Sequence, residues 1–551
     1  MDQTNVLLFL ENRTEKLQNK IALGMKSNLG WSELTFRGLG ILSRRLANYL
    51  IKSGVDKGDK LAILSESMPE WGAALFASVL SGSITIPLDT KLTIYELNSI
   101  LNDSKPKVLL VSNSHLETAL KLKQTIDSIE HIIILDDSGS NKNYPSLYNI
   151  PDEQERKWRH RAVSKTAFII YTSGTTGTPK GVEISFKNVI AQIDAVIQCF
   201  DLGINDKFLS ILPMNHLFEL TVGFLSFLSK GTSIYYSQSL KPKDLFTIIQ
   251  EKQITFMIVV PAFLKLLKSS IEAEVNQSSP LKKAFFNLNY KLAGLIPFYF
   301  VRKLMFLPIH KKFGGKFKGC ISGGAPLDIS VGKFFETIGM GVFEGYGLSE
   351  ASPVVAVNRR NKCKLGSIGL PIPNVQVRVD EKTSELLVKG DNVMKGYYNL
   401  PELTAEVIDA DGWLHTGDIA RIDKDGFIFI TGRIKSMIVL SGGKKVFPEE
   451  VEAVMEKSPK FAEICVFGAK RSGGQKDGTE DIFIAILPSP EMIDKYGDEK
   501  ELEAEIRKEV KNLSLQLSSY KRPSNIIIVK DPFPRTATRK VKRNEVKKIL
   551  V

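Results

Sequence analysis

Two hydrophobic periods alternate along the first two-thirds of the chain. In "LTFRGLGILSRRLANYLIKSG" (Leu34–Gly54) apolar residues recur three and four apart, and the pattern stops at a glycine. This predicts an amphipathic helix with a glycine just past its end. "KLAILS" (Lys60–Ser65) follows as an apolar run of strand length, then "PEWGAALFASVLSG" as a helix and "ITIPLD" as a strand. "KVLLVS" and "HIIILDD" continue the rhythm, and "FLSILP", "TSIYYS", "ITFMIVVP" and "FKGCISGG" resume it further on. Strands separated by helices predict an α/β architecture built on largely parallel sheets.

After Gly366 the pattern changes to short strands and tight turns, in "NVQVRVD", "ELLVKG" and "GFIFITGR". This reads as a small β-rich module attached to the sheet domain. Past "GRIKSMIVLSGG" (Gly432–Gly443) a compact α+β tail is expected. It comprises a helix from Pro448, strands "EICVFGA" and "DIFIAILP", a charged helix near 499–517, the strand "NIIIVK" and a basic end. At 551 residues the chain is too long for one core. The expected division is a large N-terminal domain, 1–433, and a small mobile C-terminal domain, 434–551.

Composition narrows the class. With 43% hydrophobic and 25% charged residues the chain is ordinary for a soluble globular protein. Cys199, Cys320, Cys363 and Cys465 lie far apart without a CxxC pair, which suits a reducing cytoplasm better than a disulfide framework. The six histidines are scattered, so no cage of protein metal ligands is visible. The N-terminus lacks the basic start and long apolar centre of a signal peptide, and no apolar run reaches the ~18 residues of a membrane span. A net charge of +13 favours anionic partners. No zinc-finger, RNA-recognition or basic-zipper pattern is present, so nucleic acid is not among those expected.

Candidate chemistry is densest in "YTSGTTGTPKGVEIS" (Tyr171–Ser185), straight after the apolar run "AFII". Glycines let a backbone approach a ligand closely, hydroxyls and bare N–H groups donate hydrogen bonds, and Lys180 supplies a cation. Together they suit a phosphate chain. The spacing is not that of a Walker A loop, because Pro179 precedes Lys180 and Gly181 follows it. Nor does "GYGLSE" (Gly345–Glu350) complete a dinucleotide-binding glycine pattern.

"YTSGTTGTPKG", "YGLSE", "HTGD", "GRIK" and "PRTATRK" occur in the order found in the adenylate-forming superfamily. The chain resembles that superfamily of acyl-CoA synthetases, luciferases and peptide-synthetase adenylation domains from about Trp31 to Lys548. The resemblance implies a two-step reaction. A carboxylate attacks the α-phosphate of ATP to form an acyl-adenylate, and a thiol then displaces AMP. It also implies roles. Thr172, Ser173, Gly174, Thr175, Thr176, Gly177 and Lys180 would wrap the β- and γ-phosphates. Glu350, with Thr175, would organise Mg²⁺, which needs few carboxylates beside phosphate oxygens. Gly323, Gly324 and Ala325 of "SGGAP", with Tyr346, Gly347 and Ser349, would flank the adenine, and Ser349 stands where most members have Thr. Asp418 and Arg433 would reach the ribose. Lys540 would bridge the substrate carboxylate and the α-phosphate. Arg539 precedes it where the family has Gly, which leaves Lys542 as the alternative. His216 in "LPMNHLFEL" would lie beside the acyl carboxylate. Lys435 would be the hinge and Gly442 would line the thiol tunnel.

The acid is read from "NHLFELTVGFLSFL", which is nearly all apolar and lacks the Asp with which amino-acid adenylation domains hold a substrate ammonium. An uncharged tail is expected. Phe286–Leu327 looks like the longer insert of long-chain fatty acyl synthetases. Its Phe, Leu and Tyr with interleaved Lys and Arg fit either a membrane surface or a core helix pair with a solvated basic face. The expected enzyme is a long-chain fatty acid–CoA ligase using ATP, Mg²⁺ and coenzyme A. It is expected in the cytoplasm, peripheral to the inner face of an anionic membrane. Acyl carrier protein presents the same pantetheine arm and remains an alternative acceptor. A catalytically silent membrane- or carrier-binding relative is the other class, against which intact Lys180, Glu350, Asp418 and Lys540 argue.

Overall fold

The computed structural model describes residues 13–27, 30–136, 143–151, 158–159, 161–172, 179–440, 444–470, 480–535 and 541–551. By packing, the chain forms two units, Met1–Val377 with Val388–Leu414, and Arg378–Leu387 with His415–Val551.

The first unit is built on two sheets. The seven-stranded sheet runs, in spatial order, Gly396–Tyr397, Lys180–Ser185, Thr166–Thr172, Ile84–Leu88, Lys60–Leu64, Val108–Val111, His131–Ile134. Its last five strands are parallel. The pleat explains why "KLAILS" reads as a continuous apolar run. Leu61 and Ile63 enter one core cluster and Ala62 and Leu64 another, so both faces of the strand are covered. The helices Phe36–Lys52 and Pro69–Ser81 supply one cover, and Ile94–Ser104 with Leu116–Lys123 the other. Thr35 caps the first, accepting from the Gly38 N–H at 3.1 Å.

The nine-stranded sheet runs Leu370–Pro371, Val354–Val357, Gly341–Gly347, Gly319–Ser322, Phe256–Val259, Lys207–Ser210, Ser233–Ser237, Ile21–Ser27, Gly30–Thr35. Six of these strands, from Gly341–Gly347 to Ile21–Ser27, are parallel, and antiparallel strands close both edges. The α/β architecture read from the alternating periods is therefore present, with mixed rather than purely parallel sheets.

Two stretches behave differently from a simple helix reading. Phe218–Ser226 is a π-helix, buried along most of its length. The segment beyond Phe286 folds as the end of Pro280–Leu295, then Tyr299–Met305 and Leu307–Lys312. It packs by one side and leaves large apolar side chains exposed on the other.

In the second unit, strands Leu414–Ile422 and Ile428–Arg433 form a hairpin in which Asp418 pairs with Arg433. They belong to a four-stranded sheet completed by Val375–Val379 and Glu385–Gly390. Beyond it stands a three-stranded sheet of Phe461–Ala469, Asp481–Pro488 and Asn525–Ile528. Helices Pro448–Met455 and Glu499–Ser514 cover that sheet through Val451, Met455, Ile506 and Val510. The division by packing falls upstream of Arg433. The reason is local: Gly432 at the end of the hairpin lies flush against the Phe447 ring, and Ser436 bonds Glu449 at 3.1 Å.

Three described cations of the basic end are paired. Arg535 pairs with Glu463 at 2.9 Å, Arg543 with Glu449 and Glu452 at 3.0 and 2.7 Å, and Lys547 with Glu480 at 3.1 Å. These three cations of the basic tail thus face acids of their own unit.

Candidate active site

In α/β sheets ligands gather beyond the carboxyl ends of parallel strands, and the candidate residues of the first unit collect there. The Gly/Thr loop joins adjacent antiparallel strands, Thr166–Thr172 and Lys180–Ser185, with Thr172 opposite Lys180. Thr172 and Lys180 are therefore the two posts of that loop. Ser173, Gly174, Thr175, Thr176 and Gly177 lie outside the described residues.

Edge strand Gly396–Tyr397 pairs with Lys180–Ser185, and the Tyr398 N–H donates to the Gly181 carbonyl at 2.7 Å. This sets Tyr397 beside the loop. The Lys180 ammonium stands 5.7 Å from the centre of the Tyr397 ring, a cation–π geometry. The Tyr397 hydroxyl donates to Glu350 Oε1 at 2.8 Å. Burial first, then the Glu350 charge and the hydrogen bond to it, push the phenol well above its ordinary pKa, so it stays a donor. Lys180 and Glu350 are thereby brought to one place through a residue that sequence reasoning did not single out.

One helix braces these pieces. Ser185 caps Phe186–Cys199 in a reciprocal box with Asn188, whose amide donates to the carbonyls of Asp391 and Val393 at 2.7 and 2.8 Å. One turn on, fully buried Gln192 donates to the Ala351 and Val354 carbonyls at 3.2 and 2.8 Å. The segments leading to Tyr397 and away from Glu350 are thus tied to the helix that follows the loop.

Ser322 ends its strand, and Gly323 and Gly324 make the turn. Gly324 has φ +86, and a side chain at Gly323 would meet the Phe218 ring at 3.0 Å. The turn is held from the neighbouring strand, where buried Glu344 accepts from the Leu327 N–H at 3.0 Å. Burial pushes that carboxyl up to about 7, with the Leu327 bond opposing. At Gly347 any Cβ would collide with the Pro353 carbonyl at 1.9 Å, so "YGLSE" requires glycine there. Tyr346 precedes it on the same strand, Ser349 and Glu350 lie in the short turn that follows, and Ala325 is exposed beyond the "SGG" turn.

His216 lies on the loop after Lys207–Ser210, a loop anchored by Ser67, whose hydroxyl accepts from the Met214 N–H at 3.0 Å. Its Nε2 is shielded from solvent and has no hydrogen-bond partner, and burial lowers its pKa, which keeps the imidazole neutral. Three residues on, Glu219 is fully buried near the Ser210 hydroxyl, and burial pushes it up to about 8, with that hydroxyl opposing. It is a neutral acid inside the apolar π-helix at neutral pH. A cavity of about 470 Å³ lined by Gln250, Lys311, Lys312, Gly314 and Gly315 is not part of this arrangement. Those residues precede strands Phe256–Val259 and Gly319–Ser322, at the amino ends of the parallel strands and away from the carboxyl ends where the candidate residues collect.

In the second unit Asp418 is buried and accepts from Arg433 Nε at 2.6 Å across the hairpin. The turn before it is locked by Glu385, whose oxygens take the Gly417 N–H at 2.7 Å and His415 Nδ1 at 2.9 Å. Lys435 lies exposed in the short turn Ile434–Ser436 that follows. Gly442 and Lys540 lie outside the described residues.

The chain matches the AMP-binding enzyme family over residues 10–398 and the AMP-binding enzyme C-terminal domain over 450–540. It belongs to that family. A long-chain-fatty-acid–CoA ligase of Mycobacterium bovis is 30% identical over 460 residues, covering 80% of this chain and 76% of the relative. A chloroplastic long-chain-fatty-acid–[acyl-carrier-protein] ligase of Arabidopsis thaliana is 27% identical over 622 residues, covering 97% and 84%. The ATP-bound MatB structure from Rhodopseudomonas palustris shares the fold at a TM-score of 0.79, with 24% identity and coverage of 100% and 99%.

Proposed function

We propose that this AMP-binding enzyme converts a long-chain fatty acid to its acyl-adenylate with ATP and passes the acyl group to the thiol of coenzyme A. The observation that carries the first step is the Lys180–Tyr397–Glu350 cluster at the posts of the Gly/Thr loop. Adenylation brings two anions together, so the site must neutralise charge as it develops. Thr172, Ser173, Gly174, Thr175, Thr176, Gly177 and Lys180 hold the outer phosphates in this reading. Glu350, with Thr175, is suited to Mg²⁺, since one carboxylate beside phosphate oxygens is enough and its geometry is pinned by Tyr397. The ion would supply charge neutralisation on the phosphates. Gly323, Gly324, Ala325, Tyr346, Gly347 and Ser349 seat the adenine, and Asp418 with Arg433 the ribose. Neutral His216 lies beside the carboxylate of the acid, and Lys540 bridges it to the α-phosphate. The moving part begins at Lys435, so that 1–433 and 434–551 are the working domains, and Gly442 admits the pantetheine arm.

The long-chain preference is supported by the buried apolar Leu217–Leu228 stretch, whose one acid, Glu219, is neutral and offers no charge to a substrate ammonium. The similarity to the mycobacterial long-chain-fatty-acid–CoA ligase points the same way. The Arabidopsis relative keeps acyl carrier protein as the second candidate acceptor. A cytoplasmic place at the inner face of an anionic membrane belongs to the same proposal, because such acids partition into bilayers. The test is pyrophosphate release with a panel of acids, with and without CoA or carrier protein. Each buried CH₂ adds about 0.8 kcal/mol, so palmitate should far outpace acetate and amino acids. Equal rates with acetate and palmitate would sink the long-chain reading.

A further inference from the structure

We propose that the outer face of helices Pro280–Leu295, Tyr299–Met305 and Leu307–Lys312 is the surface by which the protein docks onto an anionic lipid bilayer. The starting observation is a helix apolar on two sides. Pro280–Leu295 packs inward through Phe286, Tyr290 and Ala293, with Phe286 edge-on to Phe306 at 5.5 Å and Tyr290 5.9 Å from Phe334. On its other side Leu281, Phe285, Leu288, Leu292 and Leu295 recur at intervals of four and three and face solvent. Leu281 and Leu295 are 84% and 82% exposed, and Phe285 65%. A soluble helix ordinarily has polar residues on the side away from its core.

The apolar face does not stop at the helix end. Phe298 and Phe300 are 69% and 68% exposed, and Val301, Leu304 and Leu307 are exposed after them. A contiguous run of this kind marks an interaction surface. The helix Pro280–Leu295 alone, at about 1.5 Å per residue, is about 24 Å long.

Charge decides what covers it. Between 280 and 318 the sequence holds nine Lys or Arg and no Asp or Glu. Lys282, Lys283, Lys291, Lys311 and Lys316 are exposed, while Arg302 is buried on backbone carbonyls and Lys318 pairs with Asp206 at 2.8 Å. Protein interfaces are depleted in Lys. A second copy of the same face would set cations against cations. Bulky aliphatic and Phe side chains interleaved with Lys match an interfacial segment, whose apolar groups enter the acyl boundary while ammonium groups meet anionic head groups. Arg535, Arg543 and Lys547 of the C-terminal end are by contrast paired with acids of their own unit.

The proposal rests on peripheral membrane attachment and adds where it occurs. The test is co-sedimentation of the full-length protein, without substrate, with phosphatidylglycerol-containing vesicles and with pure phosphatidylcholine vesicles. Wild type should bind the anionic vesicles and lose them as salt shortens the screening length from about 10 Å at 0.1 M to about 3 Å at 1 M. The triple variant Phe285→Ser, Leu292→Ser, Phe298→Ser should bind about tenfold less or weaker still, with its Tm and its activity on a short soluble acid unchanged. Lys282→Glu with Lys283→Glu and Lys291→Glu should abolish the preference for anionic lipid. A folded triple variant that binds like wild type overturns this face while leaving membrane attachment standing. A wild type that stays in the supernatant at low salt overturns both. A concentration-dependent dimer that the triple variant dissolves, with no vesicle binding, assigns the face to a second copy and overturns the proposal.

Discussion

The phenolic hydroxyl of Tyr397 donates to Glu350 Oε1 at 2.8 Å while its ring stands 5.7 Å from the Lys180 ammonium. One side chain thus orients an acid and a cation that are far apart in sequence. Tyr397→Phe keeps the ring and removes the donor. A hydrogen bond to a charged group is worth about 1.5–3 kcal/mol, so ATP-dependent pyrophosphate release should fall by about ten- to a hundredfold. The Mg²⁺ concentration for half-maximal rate should rise, with Tm nearly unchanged. An unaltered Mg²⁺ dependence would remove the positioning role.

Asp418 and Arg433 make a second such pair, with the acid buried and the guanidinium more than half exposed. Breaking a fully buried pair costs about 3–5 kcal/mol. Solvent around Arg433 screens this one, so Arg433→Ala should cost roughly 1–2 kcal/mol. The sequence of effects separates structure from binding. Arg433→Ala should lower Tm and raise the KM for ATP, whereas Asp418→Asn should raise the KM with a smaller change in Tm. Two variants with wild-type KM for ATP would show that the pair only braces the hairpin.

Glu219 gives the stability a pH signature. Burial raises its folded pKa from the ordinary 4.5 to about 8, with the Ser210 hydroxyl opposing. Between those values the folded state holds a proton that the unfolded state has lost. The contribution is therefore complete below about pH 4.5, declines as pH rises and is gone above about pH 8. Glu219→Gln keeps the shape and cannot ionise. Scanning calorimetry from pH 5 to pH 8.5 should find wild type losing Tm relative to the variant; parallel profiles would place the proton elsewhere.

The sheets were legible in the sequence because burial on both faces leaves an unmistakable apolar run, as in Lys60–Leu64 and Val108–Val111. Lys180 and Glu350 stood out through their motifs. Tyr397 did not, because its place depends on edge pairing with a strand more than two hundred positions earlier, and "GYYN" on its own reads as a turn. Glu344, Glu385 and Gln192 are single polar residues in apolar or mixed stretches, and only the fold reveals what they hold. The π-helix uses residues that would serve an α-helix equally well. In Pro280–Leu295 both the stripe through Phe286 and the stripe through Phe285 have helical spacing, so periodicity alone does not say which one is core.

The two half-reactions can be separated by one residue each. Lys540 is proposed to act at the carboxylate and the α-phosphate, so its charge matters when two anions meet and no longer matters once AMP is attached. Lys540→Ala should raise the adenylation barrier by on the order of 3 kcal/mol and largely spare thioester formation from supplied acyl-AMP. Lys435 is proposed as the hinge. Its turn is closed by the Met437 N–H to the Ile434 carbonyl at 3.3 Å, so proline at 435 leaves that bond intact. It fixes φ and restricts Ile434 before it, which should hinder a rotation between two orientations. Lys435→Pro should therefore release pyrophosphate at near wild-type rate in a single turnover and accumulate acyl-AMP when CoA is added. Rapid-quench measurement of each step decides the matter. Equal losses of both steps in both variants would mean that one orientation of the C-terminal domain serves the whole reaction.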